Sequence, residues 1–282
     1  MIKYLSLIKF SHTIFAMPFA LIGFFLATKS NEFEWVTLLY VVLCMIFARS
    51  AAMAFNRYID RHIDAANSRT AQVREIPNGS IKAHSALIFV IINSLLFIST
   101  TYLINLLCLA LSPIALLVIL GYSYTKRFTA LCHIVLGLGL SLAPIGAYLA
   151  VTGTFAILPI LFSCVVICWV SGFDIIYAMQ DVDFDASQNL HSIPTYLGKV
   201  NALKLSVLLH VIAAVLVIVA GVLAGYGYFY WEGALVFIGM LYYQHSIVSP
   251  TNLTKVNIAF MTANGIASVI FGVHVLVALF LQ

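Results

Sequence analysis

Polar positions along this chain are not interleaved with apolar ones; they are gathered into short clusters between long apolar runs. A helix needs about 20 mostly apolar residues to cross the hydrocarbon of a bilayer. Runs of that kind fall at roughly 12–28, 36–56, 84–103, 105–122, 132–151, 155–173, 203–224, 228–247 and 257–281. The pattern therefore predicts an all-α fold, a polytopic membrane bundle with nine transmembrane helices. Its weakest boundary separates the third run from the fourth. No charge lies between Ser85 and Gly121, and only Asn105 and the Ser112-Pro113 pair punctuate that stretch. No linker or low-complexity segment follows, so residues 1–282 read as a single transmembrane domain. Lys3 and Lys9 precede the first run without a small-residue cleavage site, which predicts a retained first helix.

Composition agrees with this pattern. The chain is 63% hydrophobic and 9% charged, with a mean hydropathy of +1.06. A soluble domain carries about 25% charged residues, so the bilayer is the expected solvent. The net charge of +4 is then no argument for nucleic acid; what matters is where the cations sit. With the N-terminus in the cytoplasm, the inside segments hold Lys3, Lys9, Arg57, Arg61, Arg69, Arg74, Lys82, Lys126, Arg127, Lys199, Lys204 and Lys255. The outside segments hold Lys29 alone, as the positive-inside rule requires. Cys44, Cys108, Cys132, Cys164 and Cys168 show no CxxC spacing and read as small core residues.

Two polar clusters carry candidate chemistry. In the first, Asn56, Asp60 and Asp64 recur every fourth residue, one stripe if the second helix continues past the membrane surface. Arg49 lies seven residues earlier on that face, and an arginine so deep in an apolar run marks a functional site. In the second, Asp174, Tyr177, Asp181 and Asp185 form a similar stripe, with Asp183 facing away. No Lys or Arg occurs between Trp169 and Gly198, so these acids need a cation from elsewhere. Oxygen ligands without clustered Cys or His favour a hard ion such as Mg²⁺, which completes its shell with substrate phosphate. Two carboxylate stripes on one side of the membrane thus predict a diphosphate bridged by Mg²⁺. The bland alternatives are a solvated helix end and an acidic surface loop. Lys126 and Arg127, at the end of the fourth run, are positive-inside anchors that can also neutralise phosphate. His62 and His191 lie inside the clusters, whereas His12, His133, His210 and His274 stand alone on apolar faces as core residues.

These residues resemble the motifs of the UbiA superfamily of intramembrane aromatic prenyltransferases, over essentially the whole chain. The family's N-D-x-x-D-x-x-x-D motif is matched by Asn56, Asp60 and Asp64, with its upstream arginine at Arg49. Its D-x-x-Y-A-x-x-D-x-x-x-D motif is matched by Asp174, Tyr177, Ala178, Asp181 and Asp185, and its Tyr-x-x-x-Lys-Arg element by Tyr122, Lys126 and Arg127. Arg57 replaces the first motif's leading aspartate, and His191 stands where many members have Lys or Arg.

The resemblance implies Mg²⁺-dependent transfer of a polyprenyl group from a polyprenyl diphosphate to an aromatic acid, 4-hydroxybenzoate or a relative, in respiratory quinone biosynthesis. It implies metal binding by Asn56, Asp60, Asp64, Asp181 and Asp185, with catalytic roles for those aspartates and Asp174. Substrate contacts fall to Arg49, Arg61, Tyr122, Lys126, Arg127, Tyr177 and His191. It places the enzyme in a bacterial inner membrane with its site facing the cytoplasm. The alternatives are a menaquinone-pathway naphthoate acceptor, a haem farnesyltransferase and, from another class, a cation transporter. Against the transporter, the acids gather at one membrane face rather than the midplane.

Overall fold

A computed structural model describes residues 2–8 and 15–281; Lys9 and His12 lie outside the described residues. Twelve α-helices account for most of the chain, and no strand occurs among the described residues apart from an isolated Ser249–Asn252 bridge. They are α1 (Ile2–Leu7), α2 (Met17–Thr28), α3 (Trp35–Ile59), α4 (Arg61–Ala66), α5 (Ala83–Ile104), α6 (Leu106–Thr125), α7 (Cys132–Thr152), α8 (Ile157–Ala178), α9 (Val182–Ser187), α10 (Ile193–Ala224), α11 (Tyr228–Ile247) and α12 (Asn264–Phe280). A 3₁₀ turn at Met179–Asp181 joins α8 to α9, and a π-helical turn at Ile258–Ala263 leads into α12.

Among the described residues, seven helical segments are long and apolar enough to cross a membrane. Two of the nine expected runs fall short of that standard. The described part of the first, α2, has 12 residues. The other, α11, has the length, but its tyrosines, Glu232, Gln244 and His245 dilute its hydropathy. The doubtful third boundary falls at Asn105, for a physical reason: its side-chain oxygen accepts from Cys108 N–H and caps α6. Its amide also donates to the Leu149 carbonyl at 2.9 Å, tying that turn to the end of α7.

The bundle is organised around α8, the most deeply enclosed of the spans, which packs against α7 on one side and α10 on the other. Trp169 and Phe162 of α8 are fully buried among Phe19, Phe237 and Phe271. Trp169 Nε1 donates to Asn264 Oδ1 at 2.8 Å, and Gln244 Nε2 donates to the same oxygen, so α8, α11 and α12 meet at one polar knot. A hydrogen-bonded imidazole pair, His210 and His245, links α10 to α11 at 2.9 Å, so His210 is not the solitary core residue its sequence context suggests. With lipid outside, packing of this kind replaces the hydrophobic drive that water provides. Leu95, Leu106, Leu117 and Leu235 accordingly point outward.

Close approach to α8 depends on missing side chains. A Cβ at Gly172 would stand 2.3 Å from the His210 ring, and one at Gly137 would stand 2.6 Å from Ser171 Oγ. Gly172→Ala should therefore destabilise the protein by about 1–3 kcal/mol. Gly146→Ala, whose added carbon meets nothing within 4 Å, should leave stability unchanged or slightly raised. Thermal unfolding of both variants in detergent micelles checks the contrast.

Candidate active site

Both acidic clusters sit where a long helix breaks. The first stripe is not one helix, as its spacing suggests: α3 stops at Ile59, Asp60 takes φ −87° and ψ 2°, and the short α4 follows. Asp181 repeats this at the end of the second stripe's helix, with φ −106° and ψ 7°, before the equally short α9. Such a near-zero ψ lies between the helical and extended basins. It turns each chain across the end of the bundle instead of letting it run on.

Asp60 is only 1% exposed and is the most enclosed carboxylate of the site. Three donors surround it and take the place of the water it has lost. Lys126 Nζ lies 2.6 Å from Oδ2, Arg127 Nη2 lies 3.0 Å from Oδ1, and Asn56 Nδ2 donates to Oδ2 at 3.1 Å. The short connection from α6 to α7 thus delivers its two cations to the end of α3. Arg127 reaches further, to the Ile59 carbonyl at 3.1 Å. Asp64, on α4, pairs with Arg74 at 2.9 Å; burial raises its pKa above the ordinary carboxylate value, against the pull of Arg74.

The second cluster receives its countercharge from the first. Arg69, in the connection after α4, donates from Nε to Asp181 Oδ1 at 3.0 Å and pairs through Nη2 with Oδ2. Its Nη1 donates to the Tyr177 hydroxyl at 3.0 Å, and Asn67 adds a bond to Asp181 at 3.2 Å. The absence of basic residues between Trp169 and Gly198 is therefore compensated across space. Asp174 is held at 2.7 Å by His133 Nδ1. His133 Nε2 faces the Ile193 N–H at 3.3 Å and accepts there, which leaves Nδ1 to donate to Asp174. This corrects the reading of His133 as an isolated core residue.

The remaining expected residues divide. Tyr177 stands beside Asp181, its ring 4.4 Å from that of Phe260. His191 is exposed, and its backbone N–H donates to the Lys126 carbonyl at 2.7 Å, so it joins the two clusters by main chain. Asp185 is half-buried and close to Ser192. Arg61, the first residue of α4, turns back onto the end of α3, donating to the Tyr58 carbonyl at 2.8 Å and lying over the Tyr58 ring. Arg69, Asn67 and His133 were not singled out by spacing because their partners are remote in sequence, and Arg74 because its partner Asp64, ten positions away, lies across a turn rather than on one helix face. The one signal available was the density of arginine in the connection after Asp64.

Deeper in the bundle, α3, α5, α6 and α7 enclose a cavity of about 360 Å³. Met45, Ile104, Leu111 and Ala143 contribute to its apolar lining, and Arg49 and Tyr122 stand in its wall. Arg49 Nε is buried there without a hydrogen-bond partner. An unpaired buried donor is costly and suits a ligand that brings an acceptor.

Hard oxygen donors dominate the described site, and no three or more acidic, histidine or cysteine groups converge into one metal-sized cluster among the described residues. That donor set fits an ion that takes one or two carboxylates and completes its shell with phosphate oxygens.

Residues 16–266 match the model of the UbiA prenyltransferase family. The 4-hydroxybenzoate octaprenyltransferase of Aliivibrio fischeri is 30% identical over 241 residues, covering 84% of this chain and 82% of that protein. A UbiA homolog from Aeropyrum pernix K1 superposes with a TM-score of 0.85 at 29% identity, covering 94% of this chain and 97% of the other. A UbiA homolog from Archaeoglobus fulgidus, solved bound to GPP and Mg²⁺, shares the fold with a TM-score of 0.76 at 20% identity, over 99% of each chain.

The two clusters differ in how deeply their charges are enclosed. Asp60→Asn takes an almost fully enclosed carboxylate, 2% exposed, out of two ion pairs and should cost about 2 kcal/mol. Asp181→Asn loses a pair whose carboxylate is 19% and whose arginine is 35% exposed and should cost about 1 kcal/mol or less. Thermal unfolding of the two variants in the same detergent checks the order.

Proposed function

The chain belongs to the UbiA prenyltransferase family, and from that premise we propose that it transfers a polyprenyl group from a polyprenyl diphosphate to an aromatic acid. The acid is 4-hydroxybenzoate or a close relative, and the product serves respiratory quinone biosynthesis. One observation carries this reading: two carboxylate clusters paired with lysine and arginine side chains meet at one end of the bundle, while an apolar cavity nearby is walled by an arginine whose Nε is buried without a partner. The name of the A. fischeri relative supports the acceptor class, and the A. fulgidus neighbour supports the use of Mg²⁺ and a prenyl diphosphate.

The division of labour follows from the geometry. Asp60, Asp64, Asp181 and Asp185 would hold Mg²⁺, with Asn56 beside them. So held, the ion supplies positive charge to the departing diphosphate. Lys126, Arg127 and Arg69 now satisfy aspartates, and phosphate oxygens can take over those hydrogen bonds as the allylic C–O bond breaks. The cavity wall shields the resulting allylic cation from water. Arg49 orients the acid through its carboxylate, with Tyr122 alongside. Asp174, oriented by His133 and clear of any lysine or arginine pair, takes the ring proton after the carbon–carbon bond forms. Arg61 and His191 remain available to phosphate at the outer edge.

In the membrane, α2 and α11 join the seven long apolar segments to make nine crossings, and residues 1–282 form one transmembrane domain. The cation-rich connections lie on the cytoplasmic face of a bacterial inner membrane.

The test is Mg²⁺-dependent release of diphosphate from geranyl or longer prenyl diphosphates in membranes, with and without 4-hydroxybenzoate. Release should need the acid and disappear in Asp60→Ala and Asp181→Ala. Release supported only by a naphthoate acid would replace the acceptor, and a haem-dependent release would move the chain to haem farnesylation. Arg49→Ala should raise the KM for the acid by about 10- to 100-fold, the loss expected of one charged hydrogen bond; unchanged kinetics would remove Arg49 from the acid's site.

A further inference from the structure

Glu75 has no task in the site described so far, yet it is only 5% exposed. It follows Arg74 in the connection after α4. One carboxylate oxygen, Oε1, accepts from the Ser6 hydroxyl of α1. The other, Oε2, is buried with no hydrogen-bond partner. The residue is fixed on both sides. Its carbonyl accepts from the Ile81 N–H at 2.9 Å. Leu7 of α1, fully buried, packs with Ala54, Ile81, Ala86 and Val90, which holds α1 against α3 and α5.

A buried carboxylate with a bare oxygen persists only where cations stand close. Two do. Arg57, 7% exposed, is within electrostatic reach of Glu75, Asp64 and Arg74, and its own Nε–H is buried with no partner. Arg74 pairs with Asp64 at 2.9 Å. Two arginines thus share two carboxylates, Asp64 and Glu75, in a place almost closed to water. Arg57 keeps a spare donor and Glu75 a spare acceptor, so the set is balanced in charge and has hydrogen-bonding capacity in reserve.

That balance matters once Asp64 serves a metal ion. The ion draws on carboxylate charge that otherwise belongs to Arg74. Without a second anion, two guanidiniums would face each other beside a divalent cation. We propose that Glu75 is a positioning residue of the site. It is the permanent counterion of Arg57 and Arg74, latched in place by α1, and it leaves Asp64 free for the ion. Glu75 itself touches neither the ion nor the diphosphate. This inference rests on the reading of Asp60, Asp64, Asp181 and Asp185 as the ion-holding residues.

The test is the binding of Mn²⁺, a paramagnetic substitute for Mg²⁺, to the purified full chain in lipid nanodiscs. Free Mn²⁺ is read by electron paramagnetic resonance, with geranyl thiodiphosphate present as an unreactive substrate analogue. Glu75→Gln keeps the shape and an oxygen for Ser6 but loses the charge. It should weaken the Mn²⁺ Kd about tenfold, as removal of a group that orients a metal ligand does. Arg57→Gln added to it rebalances the charge and should bring the Kd back to within about threefold of the unaltered protein, the two sites being coupled. A merely structural loss would not be mended by a second neutral substitution. If Glu75→Gln alone does not fold, the charge-balanced double variant carries the test by the same criterion. An unchanged Kd in Glu75→Gln, or a loss that persists in the double variant, overturns the inference while leaving the prenyltransfer reading intact. Absence of any Mn²⁺ binding that Asp60→Ala and Asp181→Ala can abolish overturns both.

Discussion

A carboxylate almost shut off from solvent can stay charged only if its neighbours replace the water it has lost. Asp60 meets that condition with a lysine, an arginine and an amide, drawn from the ends of two helices. The consequence reaches beyond one side chain. To deliver Lys126 and Arg127, α6 must end beside α3, and α7 must begin immediately afterwards. The His191 main chain then docks on Lys126 and brings in the second cluster. Most of this end of the bundle is therefore held in register by the requirement to neutralise a few acids.

The opposite requirement governs the interior. Between α7, α8 and α10 there is little room, and Gly137 and Gly172 set the spacing by having no side chain to exclude. On the other flank of α8, polar groups of α8, α11 and α12 meet at the shared Asn264 oxygen. The half of the bundle around α8 is thus dense and dry. The half formed by α3, α5, α6 and α7 leaves a cavity. The difference separates a supporting body from a working chamber within one chain.

How much of this could be read from the sequence depended on the range of the interaction. Apolar runs placed most of the helices to within a few residues, because length and hydropathy are local; α10 begins ten residues before its run, at Ile193, ahead of a break at Gly198. Asn56, Asp60 and Asp64, and Asp174, Tyr177 and Asp181, were visible because helical spacing is local too. Invisible were Arg69 reaching Asp181 across 112 positions and His133 reaching Asp174 across 41. The breaks at Asp60 and Asp181 were equally hidden, since neither carries a proline or glycine and each reads as continuing helix. The orphaned donors of Arg49 and Arg57 are properties of packing, which no spacing rule reports.

The cavity wall has a consequence for how such a molecule meets its reactants. Its outer boundary includes α6, the least enclosed of the long segments, whose side chains Leu106, Ile114 and Leu117 face outward. A long hydrocarbon chain in that chamber is separated from the bilayer by a single helix, while the charged clusters open toward an aqueous face. In the proposed reaction, which joins a water-soluble acid to a lipid, the protein would be a phase-transfer catalyst. One reactant would be counted per volume of water and the other per area of membrane. The product would never have to leave oil for water: diffusion in two dimensions would carry it away.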